Sequence, residues 1–177
     1  MNELTWPDVL GYIKGAGLGH LSTASLEGDP HVALVFVVQR GEELMFTMRT
    51  SSSKARNLMA NPKLALMWQG NNAETYLWAS AEIVHDQAVK SDLWNGGYFP
   101  FDLAHFFQRE DAPIWCAVRV VPSRAVVMVQ GEAGLTRRTW QASGRRRRSC
   151  ASASLRGTRS RRRSRPAPSA RGPERRG

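Results

Sequence analysis

Cysteine is almost missing from this chain. Cys116 sits in an apolar run and Cys150 in an arginine-rich stretch, so neither a disulfide framework nor a paired-thiol metal motif can be drawn. A reducing cytoplasm is the default setting for such a chain, and cytoplasmic localisation is expected. His20, His31, His85 and His105 share no ligand spacing. There is no Gly-x-Ser-x-Gly elbow and no His-x-Glu with paired cysteines, which leaves hydrolytic triads and zinc sites without support. Long apolar runs are lacking too: no stretch reaches the about 18 residues that a membrane helix needs. The opening MNELTWPDVL has neither a basic n-region nor an apolar h-region. Neither export nor a membrane span is expected.

Aromatic residues are absent after Trp140, and charge is unevenly spread. Residues 1–135 hold four Lys and six Arg against fourteen Asp and Glu, a net −4, whereas residues 136–177 hold fifteen Arg and one Glu, a net +14. The overall +10 therefore describes no single region. The 177 residues give room for one domain with a full core, expected over 1–135, and a tail over 136–177. Arg, Ser, Ala, Gly and Pro in that tail cannot bury enough apolar area to offset ordering entropy, so disorder is expected. Its arginine runs would bind nucleic acid non-specifically and in a salt-sensitive way. Without aromatic residues they offer nothing for base stacking. The same composition arises when a GC-rich gene is read in a shifted frame, and a tail without selected function is the expectation.

What is present reads mainly as strand. Thr5-Trp6-Pro7-Asp8 starts a helix, since a Thr cap with an acid three residues on satisfies orphan amides and Pro is tolerated in the first turn. Trp6, Val9, Leu10 and Ile13 mark one face of this short amphipathic helix, which stops at Gly15-Ala16-Gly17. Strand-like runs follow at 18–25, 31–39, 43–48, 63–69, 74–85, 115–121 and 124–129, punctuated by turn signals such as Glu27-Gly28-Asp29-Pro30 and Arg40-Gly41-Glu42. HVALVFVV is apolar on both faces, which suits a central barrel strand. Helical pieces lie at 53–60 and between about Asp86 and Gln108, the latter broken by NGGYFP. Together these predict a small antiparallel barrel with helices packed outside it.

The most suggestive stretch is LMFTMRTSSSKARNLMANPKLALMW, residues 44–68. A strand ends near Thr47, passes Arg49 and three serines, and meets Lys54 at the start of a helix that stops at Asn61-Pro62. A helix N-terminus offers unpaired N–H groups and about half a positive charge, so a phosphate there is stabilised. Thr47, Arg49, Ser52, Ser53 and Lys54 would add hydroxyl and cationic donors. Taken alone, the motif is more simply a serine cap with solvated cations. GAGLG at 15–19 follows a helix and precedes a strand, the reverse of a dinucleotide loop. Most of the six tryptophans read as core. Glu82 and Asp92 could be a carboxylate pair, yet they fall on different expected elements and their spacing implies nothing.

With the barrel and this loop in place, the chain resembles the flavin-binding split-barrel family that includes pyridoxamine 5'-phosphate oxidase and the general stress proteins. The residues that carry the likeness are GDPHVALVFVV, LMFT with Thr47, SSK ending at Lys54, ARNL and NPKLALMW, then YLWASAEIVHD and VRVVPSRAVVM, over about residues 5–130. The resemblance implies a six- to seven-stranded antiparallel Greek-key split barrel and a homodimer with FMN in the cleft between the barrels. By position it implies phosphate contacts from Thr47, Ser53 and Lys54, with Arg49 and Ser52 as neighbours. It also implies a flavin-dependent oxidoreductase whose substrate, acid and base the sequence does not name.

Several positions depart from the oxidase. His31 and Phe36 stand where it has an Arg and a Lys, Ser53 replaces the Arg before the loop Lys, and a family Gln falls near Glu74. The loop is one residue longer, and the substrate-binding C-terminal signature is missing. These differences argue against pyridoxamine phosphate oxidation itself. A related branch uses a deazaflavin coenzyme, and SKARNL followed by NPKLAL suits it, so the loop does not choose between the two cofactors. A non-enzymatic, stress-type flavin-binding module is the remaining alternative.

Overall fold

A computed structural model describes residues 3–14, 18–70 and 72–143. Eight strands of this part form one antiparallel sheet: β1 (Gly19–Ala24), β2 (Pro30–Val35), β3 (Val37–Arg40), β4 (Glu43–Arg49), β5 (Lys63–Gln69), β6 (Ala73–Val84), β7 (Trp115–Gly131) and β8 (Gly134–Gln141). Helix α1 (Trp6–Lys14) precedes the strands, α2 (Ser53–Ala60) joins β4 to β5, and α3 (Gln87–Asn95) and α4 (Ala104–Phe107) lie between β6 and β7.

The sheet order is β2-β1-β5-β6-β7-β4-β3, with β8 also beside β7. Its two ends, β2 and β3, are halves of one apolar run parted only at Phe36. Covalent continuity therefore joins the ends of the sheet and rolls it into the split barrel that the sequence predicts. Alternation along each strand does the rest. Leu21 and Thr23 of β1 and Leu64, Leu66 and Trp68 of β5 point inward, while their neighbours face out.

Three strand expectations change. The run 31–39 is two strands because its first half pairs with β1 and its second with β4. The runs around Pro122 are one strand, β7, in which Trp78 faces Arg124 and Ala79 faces Pro122, leaving Ser123 as the extra residue of a bulge. Strand β8 is new, so there are eight strands rather than six or seven. Arg137 and Arg138 make it look like tail, yet it pairs with β7 from Gly131↔Gly134 to Arg124↔Gln141. Trp140 packs on Trp6 with ring centroids 4.8 Å apart, and Arg138 donates to the Tyr12 hydroxyl at 3.1 Å. The boundary expected at residue 135 thus falls inside a strand. The rest of the expected tail, 144–177 with Cys150, and the Gly15–Gly17 helix stop lie outside the described residues.

Two apolar clusters flank strands β4 and β7. Leu44, Phe46 and Met48 point with Cys116, Val118 and Val120 into the barrel, where Leu21, Leu66, Trp68, Leu77 and Val127 complete the core. Met45 and Ala117 point the other way, toward Leu93, Phe99, Leu103, Phe107 and Trp115. Helix α1 seals the barrel with Val9, Leu10 and Ile13. Its start is the expected capping box: the Thr5 amide donates to Asp8 Oδ2 at 2.8 Å and the Asp8 amide to Thr5 Oγ1 at 3.3 Å. Glycine is required at position 19, where a Cβ would stand 2.9 Å from Trp68 Nε1.

Candidate functional site

The ladder between β3 and β4 ends at the pair Val37–Phe46. Beyond it the strands part, because β2 follows β1 from Val35 opposite Gly19 while β4 follows β7 from Thr47 opposite Ala117. The gap leaves the edge of Leu34 to Phe36 facing that of Thr47 to Arg49, with no strand between them among the described residues. Backbone groups on such edges need partners from elsewhere.

A cleft of about 520 Å³ occupies this gap. One group of lining residues is polar: Thr47, Arg49, Ser52 and Lys54. The other is apolar, with Leu18, Leu34, Phe36, Phe101, Phe106 and Phe107. The structure thus brings together four of the five residues that the sequence singled out. Ser53 is not among the lining residues, since its Oγ accepts from Arg56 at 3.0 Å.

Each polar group is positioned by local structure. Ser52 is the N-cap of α2, with Oγ accepting from the Ala55 amide at 3.3 Å and donating to the Arg49 carbonyl at 2.7 Å. The simple reading of the serine as a cap is therefore correct, and the same residue also faces the cleft. Arg56 reaches back to the Ser51 carbonyl at 2.9 Å, and Asn57 donates to Thr23 Oγ1 at 3.1 Å. These bonds hold the loop and helix against β1. Lys54 is half-buried in the first helical turn and Arg49 is exposed at the end of β4. Neither has a carboxylate within ion-pair distance among the described residues. Two free cations beside a helix N-terminus make a local positive field without a protein counter-ion.

The sequence did not point to the aromatic wall. Phe101 meets Phe36 at 4.8 Å and Phe106 at 5.0 Å, both edge-on. Phe107 stacks on Trp115 at 5.4 Å, and the Trp115 indole N–H donates to the Arg109 and Glu110 carbonyls. Just after α4, Gln108 takes φ 68 and ψ −58, and the Arg109 amide bonds the Phe107 carbonyl at 2.8 Å. This is the strained hand of γ-turn, costing about 1–3 kcal/mol, and it turns the chain directly after the wall. FPFDLAHFF, an aromatic cluster after a glycine break, was the available signal.

The other sequence candidates lie elsewhere. Glu82 and Asp92 are both bound in a charge ladder: Asp92 to Arg40, Arg40 to Glu43 at 3.3 Å, and Arg119 to Glu43 at 2.8 Å and Glu82 at 3.1 Å. The Arg40 hydrogen bond holds the Asp92 carboxyl below the usual range. Glu74 accepts from the Tyr76 hydroxyl at 2.6 Å, away from the cleft, and raises the phenol pKa. Burial pushes the Cys116 thiol up. No group of three or more His, Cys, Asp or Glu is arranged to hold a metal ion among the described residues. None of the described helices is long and apolar enough to cross a membrane. A second cleft, of about 600 Å³, shares Phe36 but offers Lys14 as its single cation.

Comparison with known proteins shows shared folds and one matching family model. Several solved structures share the fold. General stress protein 26 from Bacillus anthracis is 19% identical, with a TM-score of 0.59 over 75% of this chain and 97% of that one. A protein related to general stress protein 26 from Clostridium acetobutylicum is 18% identical, with a TM-score of 0.62 over 78% and 96%. A pyridoxamine 5'-phosphate oxidase-related, FMN binding protein from Nostoc punctiforme is 16% identical, with a TM-score of 0.62 over 76% and 88%. No curated protein matches the sequence. The family model described as pyridoxamine 5'-phosphate oxidase matches residues 6–110, more than half of the chain, and the protein belongs to that family.

Proposed function

We propose that the protein is a flavin-dependent oxidoreductase that binds FMN in the cleft between β2 and β4. The carrying observation is the convergence of Thr47, Arg49, Ser52 and Lys54 with the α2 N-terminus on one apolar-walled cleft. The fit is chemical. Lys54 and Arg49 would neutralise a phosphate, the Thr47 hydroxyl would donate to it, and first-turn amides held in place by the Ser52 cap would complete the cradle. The apolar wall would exclude water from a planar ring, and the open edges of Leu34–Phe36 and Thr47–Arg49 would meet its polar atoms. When bound, FMN supplies the hydride and electron chemistry that no side chain here provides. A deazaflavin coenzyme shares the phosphate chemistry and is the alternative ligand. FMN binding by the Nostoc punctiforme neighbour favours FMN.

A homodimer and a cytoplasmic setting belong to the same reading. Val32, Leu34 and Trp78 lie exposed on the outer face of the barrel, and Leu34 also lines the cleft, so a second copy there would cover apolar area and close the site. Light scattering is expected to give twice the chain mass.

A non-enzymatic flavin carrier is the second reading. It is favoured by the cleft lining, which has no histidine, carboxylate or phenol among the described residues to move a proton. The deciding experiment is titration of the purified chain with FMN and with the deazaflavin coenzyme, followed by reduction with dithionite and reoxidation by a panel of acceptors. One FMN per chain and acceptor-dependent reoxidation are expected. A folded protein that binds neither cofactor overturns both readings, and binding without acceptor turnover selects the carrier.

A further inference from the structure

The second cleft, of about 600 Å³, follows the free edge of β3. Strand β3 stands last in the sheet, and its one strand neighbour among the described residues is β4. Gly41 and Glu42 form the two-residue turn between them, with Arg40 opposite Glu43 and Gly41 at φ 62. In such a hairpin the pair next to the turn is the hydrogen-bonded one, and bonding then alternates along the ladder. The N–H and C=O groups of Gln39 and Val37 therefore point away from β4. No other strand or turn among the described residues bonds them, and both residues line the cleft. Arg40 is tied to Glu43 across the turn and to Asp92 of α3, which holds this edge in place without a strand beside it. Lys14, at the end of α1, also lines the cleft and has no carboxylate within ion-pair distance among the described residues.

We infer that this cleft binds an N-acylated amino acid or short peptide in extended form, its main chain paired with Val37 and Gln39 and its carboxylate facing Lys14. Open N–H and C=O groups that recur every second residue, about 7 Å along a strand, are matched by another extended main chain. Each of them also needs a partner once water is displaced. A tertiary amide lacks the N–H for this pairing, and a neutral end leaves the Lys14 charge without a counter-ion. None of these groups belongs to the phosphate cradle or to the face proposed for a second copy, so FMN binding neither supports nor removes this site.

The test follows the amide signals of the ¹⁵N-labelled full chain by NMR during titration with acetyl-alanyl-valine, its C-terminal methylamide and its N-methylated analogue. The Val37 and Gln39 signals are expected to move with the free acid, which should bind about tenfold more tightly than the methylamide. The N-methylated analogue should leave both signals in place. Lys14→Ala is expected to abolish the difference between acid and methylamide. Gln39→Pro removes an outward N–H without touching the ladder to β4, and is expected to weaken the acid about tenfold while the remaining spectrum persists. Unmoved Val37 and Gln39 signals, equal binding of the N-methylated analogue, or a preference for the acid that survives Lys14→Ala overturns the inference. Slow solvent exchange of these two amides in the free chain would show the edge already covered by a second copy, and overturns it as well.

Discussion

The interior of the barrel and the cluster outside β4 and β7 are both apolar, but they are closed to different degrees. Inside, Leu21, Phe46, Trp68 and Leu77 have no solvent exposure. Outside, the aromatic residues of 94–107 grade from buried Phe107 through Phe101 to half-exposed Phe106. A closed cluster gives stability because every methylene already has partners. An incompletely closed cluster keeps unused contact area, which is what a ligand wall requires. Strands β4 and β7 serve both, sending alternate side chains to each side.

The comparison can be broken most forcefully from within. Phe46→Ala removes a ring with 0% exposure and is expected to lower unfolding free energy by about 3–5 kcal/mol in urea melts. A loss below about 1 kcal/mol would mean that the barrel is not the closed cluster.

Lys54→Ala sharpens the contrast, because it should affect binding and leave the barrel alone. FMN affinity is expected to fall by about 1.5–3 kcal/mol, from loss of one charged hydrogen bond. Stability should change by about 0.5 kcal/mol or less, as for surface substitutions. Unchanged affinity for FMN and for the deazaflavin coenzyme would remove the loop from the site.

Ser52 joins the two functions, so Ser52→Ala should lower stability by about 1 kcal/mol through the lost cap and weaken cofactor binding as well. Thermal melts with and without FMN separate the two effects.

The smallest effect concerns the charge ladder around Arg40. Arg40 depresses the folded pKa of Asp92, so this contribution is complete above the unfolded value of about 3.9 and is lost as pH falls through the lower folded value. The melting difference between wild type and Asp92→Asn should therefore be present at neutral pH, begin to shrink near about pH 4 and vanish only below the lower folded value. A difference that persists at lower pH would assign the effect to packing.

Local patterns carried much of this structure. The Thr5–Asp8 box, the Ser52 cap and the Asn61-Pro62 stop depend on side chains within a few residues of each other, and they stand where those residues predict them. Strand β8 was hidden because Arg137 and Arg138 add charge and its residues do not alternate between inside and outside; only the ladder to β7 defines it. Composition alone was the wrong guide there.

From the amino-acid order alone came the alternation that makes the strands, the donors of the 47–54 loop and the helix that begins among them. Only the rolled sheet decided that β2 and β4 part at Phe36 and that Phe101 and Phe106 close the other side of the gap. Those contacts join segments far apart in the chain. No local periodicity encodes them, because they arise from how the barrel closes and which strand edges it leaves unpaired.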